Sequence, residues 1–153
     1  MGPLPRAVTS WKTYEEVFIR PEGYVWDQAR QEITSEEQSY AFLQAAWMGD
    51  REALDRVFAW TEGPLVRPDG LYVWQWPPMD GGYIVDANTA TDADQDIAFA
   101  LILASNAFPN TTDRDRAKEL LAAIRHGEGA SSLAAGFPAR ETGSLPGPVT
   151  KTV

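Results

Sequence analysis

Two short acidic stretches, Thr34-Ser35-Glu36-Glu37-Gln38 and Ala90-Thr91-Asp92-Ala93-Asp94, each open a run of helical length that is apolar on nearly every face. An ionised carboxylate in apolar surroundings has to be paired, hydrogen-bonded or protonated, so two buried helices that begin with carboxylates invite acid–base chemistry. General acid catalysis on a glycosidic bond is one use for such groups. The plainer use is structural: acidic side chains in a first turn complement the helix dipole and cap its free amides, and spacing alone leaves both readings open. A calcium loop is a further reading of Asp92-x-Asp94-x-Asp96. It fails because the sixth position holds Ile97 where Gly is needed and the twelfth holds Leu103 where Glu is needed. No metal or cofactor is expected, and the lone His126 falls at a helix end where a cation suits the dipole.

The elements that must hold these carboxylates follow from hydrophobic periodicity. Between Val8 and Ile19, Trp11, Tyr14, Val17 and Phe18 recur opposite Lys12, Glu15 and Glu16, which predicts an amphipathic helix ended by Pro21 and Gly23. Thr34 with Glu37 three residues on is a capping box, and the run to Met48 through Tyr40, Phe42, Leu43 and Trp47 has almost no polar face. Gly49-Asp50 closes that helix and caps a third, carrying Leu54, Val57, Phe58 and Trp60 up to a break at Gly63-Pro64. From Leu65 to Thr89 the chain reads as a loop or short extended region dense in aromatics: Tyr72, Trp74, Trp76 and Tyr83. Thr91 is expected to cap a fourth helix, apolar all round from Ile97 to Ala104. Thr112 is expected to cap a fifth, with Ala117, Leu120, Leu121 and Ile124 in one stripe.

The order amphipathic, buried, amphipathic, buried, amphipathic predicts an all-α fold of about five helices, outer and inner helices alternating as in a two-layered toroid. Residues 1–126 are expected to form one domain, and 127–153, without period or large apolar groups, a mobile tail. No internal repeat shows beyond the two-helix rhythm.

Thirteen basic against twenty-two acidic side chains give a net charge of -9. Such a charge repels polyphosphate and argues against nucleic acid or an anionic membrane as partner, while a neutral polysaccharide remains compatible. There are no cysteines, which removes disulfides and thiol nucleophiles. No apolar run reaches the ~18 residues of a membrane span, and the N-terminal residues lack a signal-peptide core. Trp74-Gln75-Trp76 followed by Pro77-Pro78 leaves at least one indole in the open, and exposed flat aromatics near carboxylates suit the apolar faces of sugar rings.

Ser35-Glu36-Glu37-Gln38-Ser39-Tyr40 is similar to the Ser-Glu-Gly-Gln-Ser-Tyr segment of family 8 glycoside hydrolases, the endoglucanases, chitosanases and xylanases. Ala90 through Phe108 resembles that family's signature in every constrained position. Trp11 with Tyr14, Gly49-Asp50, Phe58-Ala59-Trp60 and Trp74-Gln75-Trp76 also fall in the family's order, so the resemblance covers about residues 10 to 126. It implies an inverting endo-β-1,4-glucanase (a cellulase) on an (α/α)6 barrel, with Glu36 as general acid and Asp92 holding the distorted sugar. Trp74 would be the stacking platform, with Trp76, Tyr83, Gln38 and Tyr40 as further substrate contacts. It also implies a neutral β-linked glucan as partner, no cofactor, and a secreted or periplasmic location.

Two departures stand out. Glu37 replaces a Gly of the family, and the family's general base is an Asp that would lie beyond residue 153. Twelve helices need on the order of 190 residues. The expectation is therefore a partial toroid of about five helices, weakly active, that associates with itself through exposed inner helices. The alternative is a non-catalytic glucan-binding fragment or a helical interaction module.

Overall fold

The computed structural model describes residues 4–76, 86–109 and 111–129. Helix α1 (Pro5–Phe18) opens on Pro5, whose fixed φ and missing N–H suit a first helical position, and ends where Ile19 turns extended. It packs on α2 (Ser35–Met48), as does α3 (Arg51–Trp60); α5 (Asp113–Gly129) packs on α4 (Thr91–Ala107), and α2 packs on α4. The inner pair is thus α2 and α4, and the outer layer α1, α3 and α5: an all-α partial (α/α)6 toroid with the predicted alternation. Phe42, Leu43 and Ala45 of α2, Ile97, Ala98 and Leu101 of α4, Leu54 and Val57 of α3 and Leu120 of α5 meet in one core.

The inner helices are not buried on all sides. Tyr40 and Trp47 on α2 and Phe99 on α4 are exposed, because a partial ring leaves one face of each inner helix without a neighbour. On α1, only Trp11 is fully buried, while Val17 and Phe18 stay exposed. The Trp11 indole donates to Asp50 Oδ2 at 2.9 Å, and the other oxygen of Asp50 caps α3 by accepting from Ala53 N at 3.1 Å. One carboxylate therefore starts α3 and fastens α1 to it.

Helix boundaries follow their caps. Thr34 accepts from Glu37 N at 3.2 Å while Glu37 Oε2 accepts from Thr34 N at 3.3 Å, the predicted capping box, and Gly49 at φ 67° ends α2. Instead of breaking at Gly63-Pro64, α3 continues as one π-helical turn, Thr61–Leu65. Thr91 does not cap α4: it is the first helical residue, Ala90 holds the cap position, and Asp92 Oδ1 accepts from Ala93 N at 3.0 Å instead. Helix α5 runs three residues past the predicted domain end at 126, and the rest of the expected tail, 130–153, lies outside the described residues.

A repeat that the sequence reading missed is plain in the backbone. After α1, Arg20-Pro21-Glu22-Gly23 forms a turn closed by Gly23 N to Arg20 O at 2.9 Å and Arg20 N to Tyr24 O at 2.8 Å. After α3 and its π turn, Arg67-Pro68-Asp69-Gly70 repeats it, with Gly70 N to Arg67 O at 2.9 Å and Arg67 N to Leu71 O at 2.8 Å. The flanking bridges, Ile19↔Val25 and Val66↔Tyr72, are both six residues apart. Proline presets the second turn position in each. At Gly23 the φ of +108° and a backbone oxygen, Arg56 O, only 2.1 Å from where a Cβ would lie leave no room for a side chain. Outer helix, turn and inner helix thus occur twice. The second connection is longer, and its β2 (Gln75–Trp76) pairs antiparallel with β1 (Ile33–Thr34), Ile33 opposite Trp76 and Thr34 opposite Gln75.

Candidate active site

Residues 72–74 touch the first turns of both inner helices. Ser35 N donates to Trp74 O at 3.0 Å at the start of α2, and Tyr72 N donates to Asp94 Oδ1 at 3.2 Å in the first turn of α4. Both N-termini therefore lie at the same end, and α2 and α4 run parallel. Glu36 and Asp92 each occupy the second position of their helix, so equivalent positions aim them alike. One turn further on, the Tyr40 hydroxyl donates to Glu36 Oε1 at 2.7 Å. That hydroxyl is pushed up to about 12, first by its bond to Glu36 and then by burial and the negative charges of Glu36, Asp92 and Asp96. Glu36, Tyr40 and Asp92 are exposed, and Asp96 is raised above the ordinary carboxylate range by burial and by Asp92.

The remaining predicted contacts divide. Trp74 and Trp76 are half-buried beside these first turns, Trp76 against the core, and Tyr83 lies outside the described residues. Gln38 is a correction: it is entirely buried, its Oε1 accepts from Val25 N, and its Nε2 donates to Thr61 Oγ1 at 2.8 Å and Gly23 O at 3.4 Å. An amide so occupied has nothing left for a glucan. Tyr72, another aromatic of the same loop, is wholly buried with its hydroxyl between Glu62 and Arg116.

Glu37 does not enter the cleft. The capping box turns it back to Thr34, where burial pushes its carboxyl up to about 7 and the facing Asp27 carboxylate adds to the rise. The residue that sequence reasoning passed over is Asp94. It is fully buried, its Oδ2 meets no hydrogen-bond partner of good geometry, and the Thr89 hydroxyl lies close enough to favour the charged form. Burial raises this carboxyl to about 7 against the pull of the Tyr72 amide, Thr89 and Arg67. Its signal was in the helices all along: Asp94 is the fourth residue of α4, as Gln38 is of α2, and each accepts the amide of the bridge residue that follows the turn before its helix.

The model of the family described as "Glycosyl hydrolases family 8" matches residues 5–128. The chain belongs to glycosyl hydrolase family 8. It is 36% identical over 104 residues to an endoglucanase of Cellulomonas uda, covering 67% of this chain and 29% of that protein. An endoglucanase of Escherichia coli K12 is 30% identical over 126 residues, 78% of this chain and 34% of its own length. Among solved structures, a family 8 endoglucanase of Klebsiella pneumoniae superposes with a TM-score of 0.72 at 31% identity, over 75% of this chain and 38% of that one. The chain thus spans about a third of the length of the curated relatives it matches.

Glu37, expected from the resemblance to stand where the family has Gly, is the third residue of α2. A side chain at this third helical position is directed by the Thr34 box away from Glu36, so the two neighbouring carboxyls serve different surroundings. Of the other acids, Asp113 is 3% exposed and held by Arg51 and Thr111. Among the described residues no cluster of three or more His, Cys, Asp or Glu could hold a metal, and no helix is long and apolar enough to cross a membrane.

Proposed function

We propose that this chain forms the acid-bearing side of an inverting endo-β-1,4-glucanase cleft, acting on a neutral β-1,4-linked glucan outside the cytoplasm. The observation that carries the reading is the meeting of Glu36 and Asp92 around Tyr40 at the shared end of two parallel helices. Glu36 is the general acid. Tyr40 donates to its Oε1, so Oε2 is the oxygen that carries the proton to the leaving glycosidic oxygen. Asp92, its Oδ1 already engaged by Ala93 N, holds the hydroxyls of the distorted sugar. Trp74 offers a stacking face to a neighbouring ring, with the half-buried Trp76 close to it in the chain. The net charge of -9 disfavours nucleic acid and anionic membranes as partners.

Inversion needs a second carboxylate about 6.5–9.5 Å from the acid with a water between them. Asp113 and Asp94 are buried and poorly placed for that role, and the resemblance to family 8 implies that water activation belongs to a further Asp of the family's barrel. Acid and base assistance are each worth about 10² to 10⁴ in rate, so the chain alone turns over slowly. Its open inner face, with Trp47 58% and Phe99 47% exposed, is where one copy meets another.

The test is reducing-sugar release from carboxymethylcellulose by the chain, by Glu36→Gln and by Asp92→Asn. Slow release that both substitutions abolish supports the assignment; release indifferent to Glu36→Gln refutes it. The half-buried Trp74 favours one second reading, a glucan-binding segment without turnover. Cello-oligosaccharide binding unaffected by Glu36→Gln, with no release at all, identifies that case.

A further inference from the structure

A fully buried carboxyl oxygen with no hydrogen-bond partner is an expensive thing for a fold to keep, and Asp94 Oδ2 is one. Its counterpart in the other repeat, Gln38, is fully used: its oxygen takes Val25 N and its NH2 group serves Thr61 and Gly23. Asp94 keeps part of that pattern, accepting from Tyr72 N at 3.2 Å with the Thr89 hydroxyl close by. The amide it holds belongs to the segment that ends at Trp74. From Trp74 two further bonds leave: its N donates to Asn88 O at 2.8 Å, and its O accepts from Ser35 N at 3.0 Å. A continuous line of contacts therefore runs from the first turn of α4, through Tyr72, Val73 and Trp74, to the first turn of α2.

We infer that Asp94 is a positioning residue, which holds Trp74 in place and fixes the first turn of α2, with Glu36, against that of α4, with Asp92. The inference rests on the reading of Glu36, Asp92 and Trp74 as one glucan site, and deepens it. The inner helices are already packed along their length, but packing fixes a helix axis better than it fixes a first turn, where the backbone amides look for partners outside the helix. Ser35 N finds its partner in Trp74 O, so the place of α2's first turn depends on where residues 72–74 lie. Those residues are anchored to α4 by Asp94 and on their other side by Val73 N to Leu65 O at 2.8 Å. Asp94 touches neither Glu36 nor Asp92 in this scheme; it acts through the segment it holds.

Three variants of the full chain separate this from a general packing role. Asp94→Asn keeps an acceptor for Tyr72 N and puts an NH2 group where the orphan oxygen lies. Asp94→Ala removes the acceptor. Ser35→Pro removes the donor at the far end of the line, at a first helical position that Pro favours and after a Thr34 whose φ of -122° and ψ of 154° Pro tolerates. Amide hydrogen exchange by NMR and calorimetric titration with cellotetraose are the readouts. In Asp94→Ala, protection of Tyr72 N and of Ser35 N falls together by about tenfold or more while Val25 N, held by Gln38, keeps its protection. Affinity for cellotetraose drops about tenfold in Asp94→Ala and in Ser35→Pro, no further in the double variant, and returns in Asp94→Asn.

Loss of protection at Tyr72 alone, with Ser35 N unchanged, overturns the coupling. So do additive losses in the double variant. Should Asp94→Ala not fold, Ser35→Pro decides by itself: unchanged cellotetraose affinity in that variant refutes the line of contacts. A parent chain that shows no cellotetraose binding but the stated exchange pattern refutes the glucan site and leaves the positioning role standing.

Discussion

Replacing Gln38 by Leu separates a structural amide from a substrate contact. Gln38, Val25 and Thr61 are 0%, 3% and 2% exposed, so water cannot step in when the amide is removed. The Val25 N–H loses its acceptor, which costs about 1–3 kcal/mol for a buried donor left unpaired. Gly23 O loses a long bond of 3.4 Å, worth less, and the Thr61 hydroxyl keeps its own bond to Val57 O at 2.8 Å. Leu recovers part of this through the transfer of its apolar surface, which leaves a net cost of about 2 kcal/mol. With a urea m-value of about 1.5 kcal/mol/M for a chain of this size, the midpoint should fall by roughly 1–1.5 M at unchanged m. Gln38→Glu should be worse, since it forces a carboxyl into the same dry site. The reasoning fails if Gln38→Leu unfolds at the parent midpoint and loses affinity for cello-oligosaccharides instead, because the amide would then be facing the ligand.

Gly23→Ala, at φ +108° and against Arg56 O, should cost at least about 2 kcal/mol and lower the thermal midpoint by several degrees, whereas Gly63→Ala, with open space around it, should not. Stability should decline as pH rises from about 4.5 through about 7, by on the order of 1 kcal/mol for each of Glu37 and Asp94. The sign follows from raised folded-state values: the folded chain binds these protons more tightly than the unfolded one, so the contribution is full below the unfolded pKa and lost above the folded one. Urea midpoints at pH 4.5, 6 and 8 check it, and Glu37→Gln should flatten part of the slope. Glu37→Gly should cost about 1 kcal/mol by removing half of the capping box and leave cello-oligosaccharide affinity unchanged, since the side chain already points away from Glu36; a gain in affinity would show that it obstructs the cleft after all. Trp47→Glu should lower the apparent mass in sedimentation by disrupting self-association across the open inner face.

What could be read in the sequence was what local chemistry decides. Thr34 and Glu37 write a capping box in four residues, Gly49 writes a left-handed stop, and both stand where expected. The alternation of outer and inner helices was legible because burial sets the width of the apolar stripe. Thr91 was misread because a Thr before an acidic run looks like a cap whichever side of the boundary it lies on. Gln38 was misread for a different reason: its place in a matching motif says nothing of the partners that use it up, which come from residues 23–25 and 61 and meet it only in the folded chain. Exposed inner helices were expected from the count of helices, but that Tyr40, Trp47 and Phe99 are the residues left open was not, since apolar runs do not report which neighbours are at hand.

The repeat explains why Glu36 and Asp92, singled out as candidates through the resemblance to family 8 segments, stood out while Asp94 did not. In each unit the second helical residue faces out of the end of the bundle and the fourth faces the turn behind it, a consequence of 100° per residue along an α-helix. Glu36 and Asp92 take the first place; Gln38 and Asp94 take the second. A search for chemistry stops at the exposed pair, because acids at a helix start are what such a search looks for. The buried pair differs in residue type, amide in one unit and acid in the other, so no identity links them, and only the two turn amides they receive, Val25 N and Tyr72 N, show that they do the same work. The exposed carboxylates can hold a shared geometry only if the buried pair keeps each turn seated behind its helix. Substituting Asp94 should therefore disturb Glu36 without touching it, through Tyr72, Val73 and Trp74 to the first turn of α2.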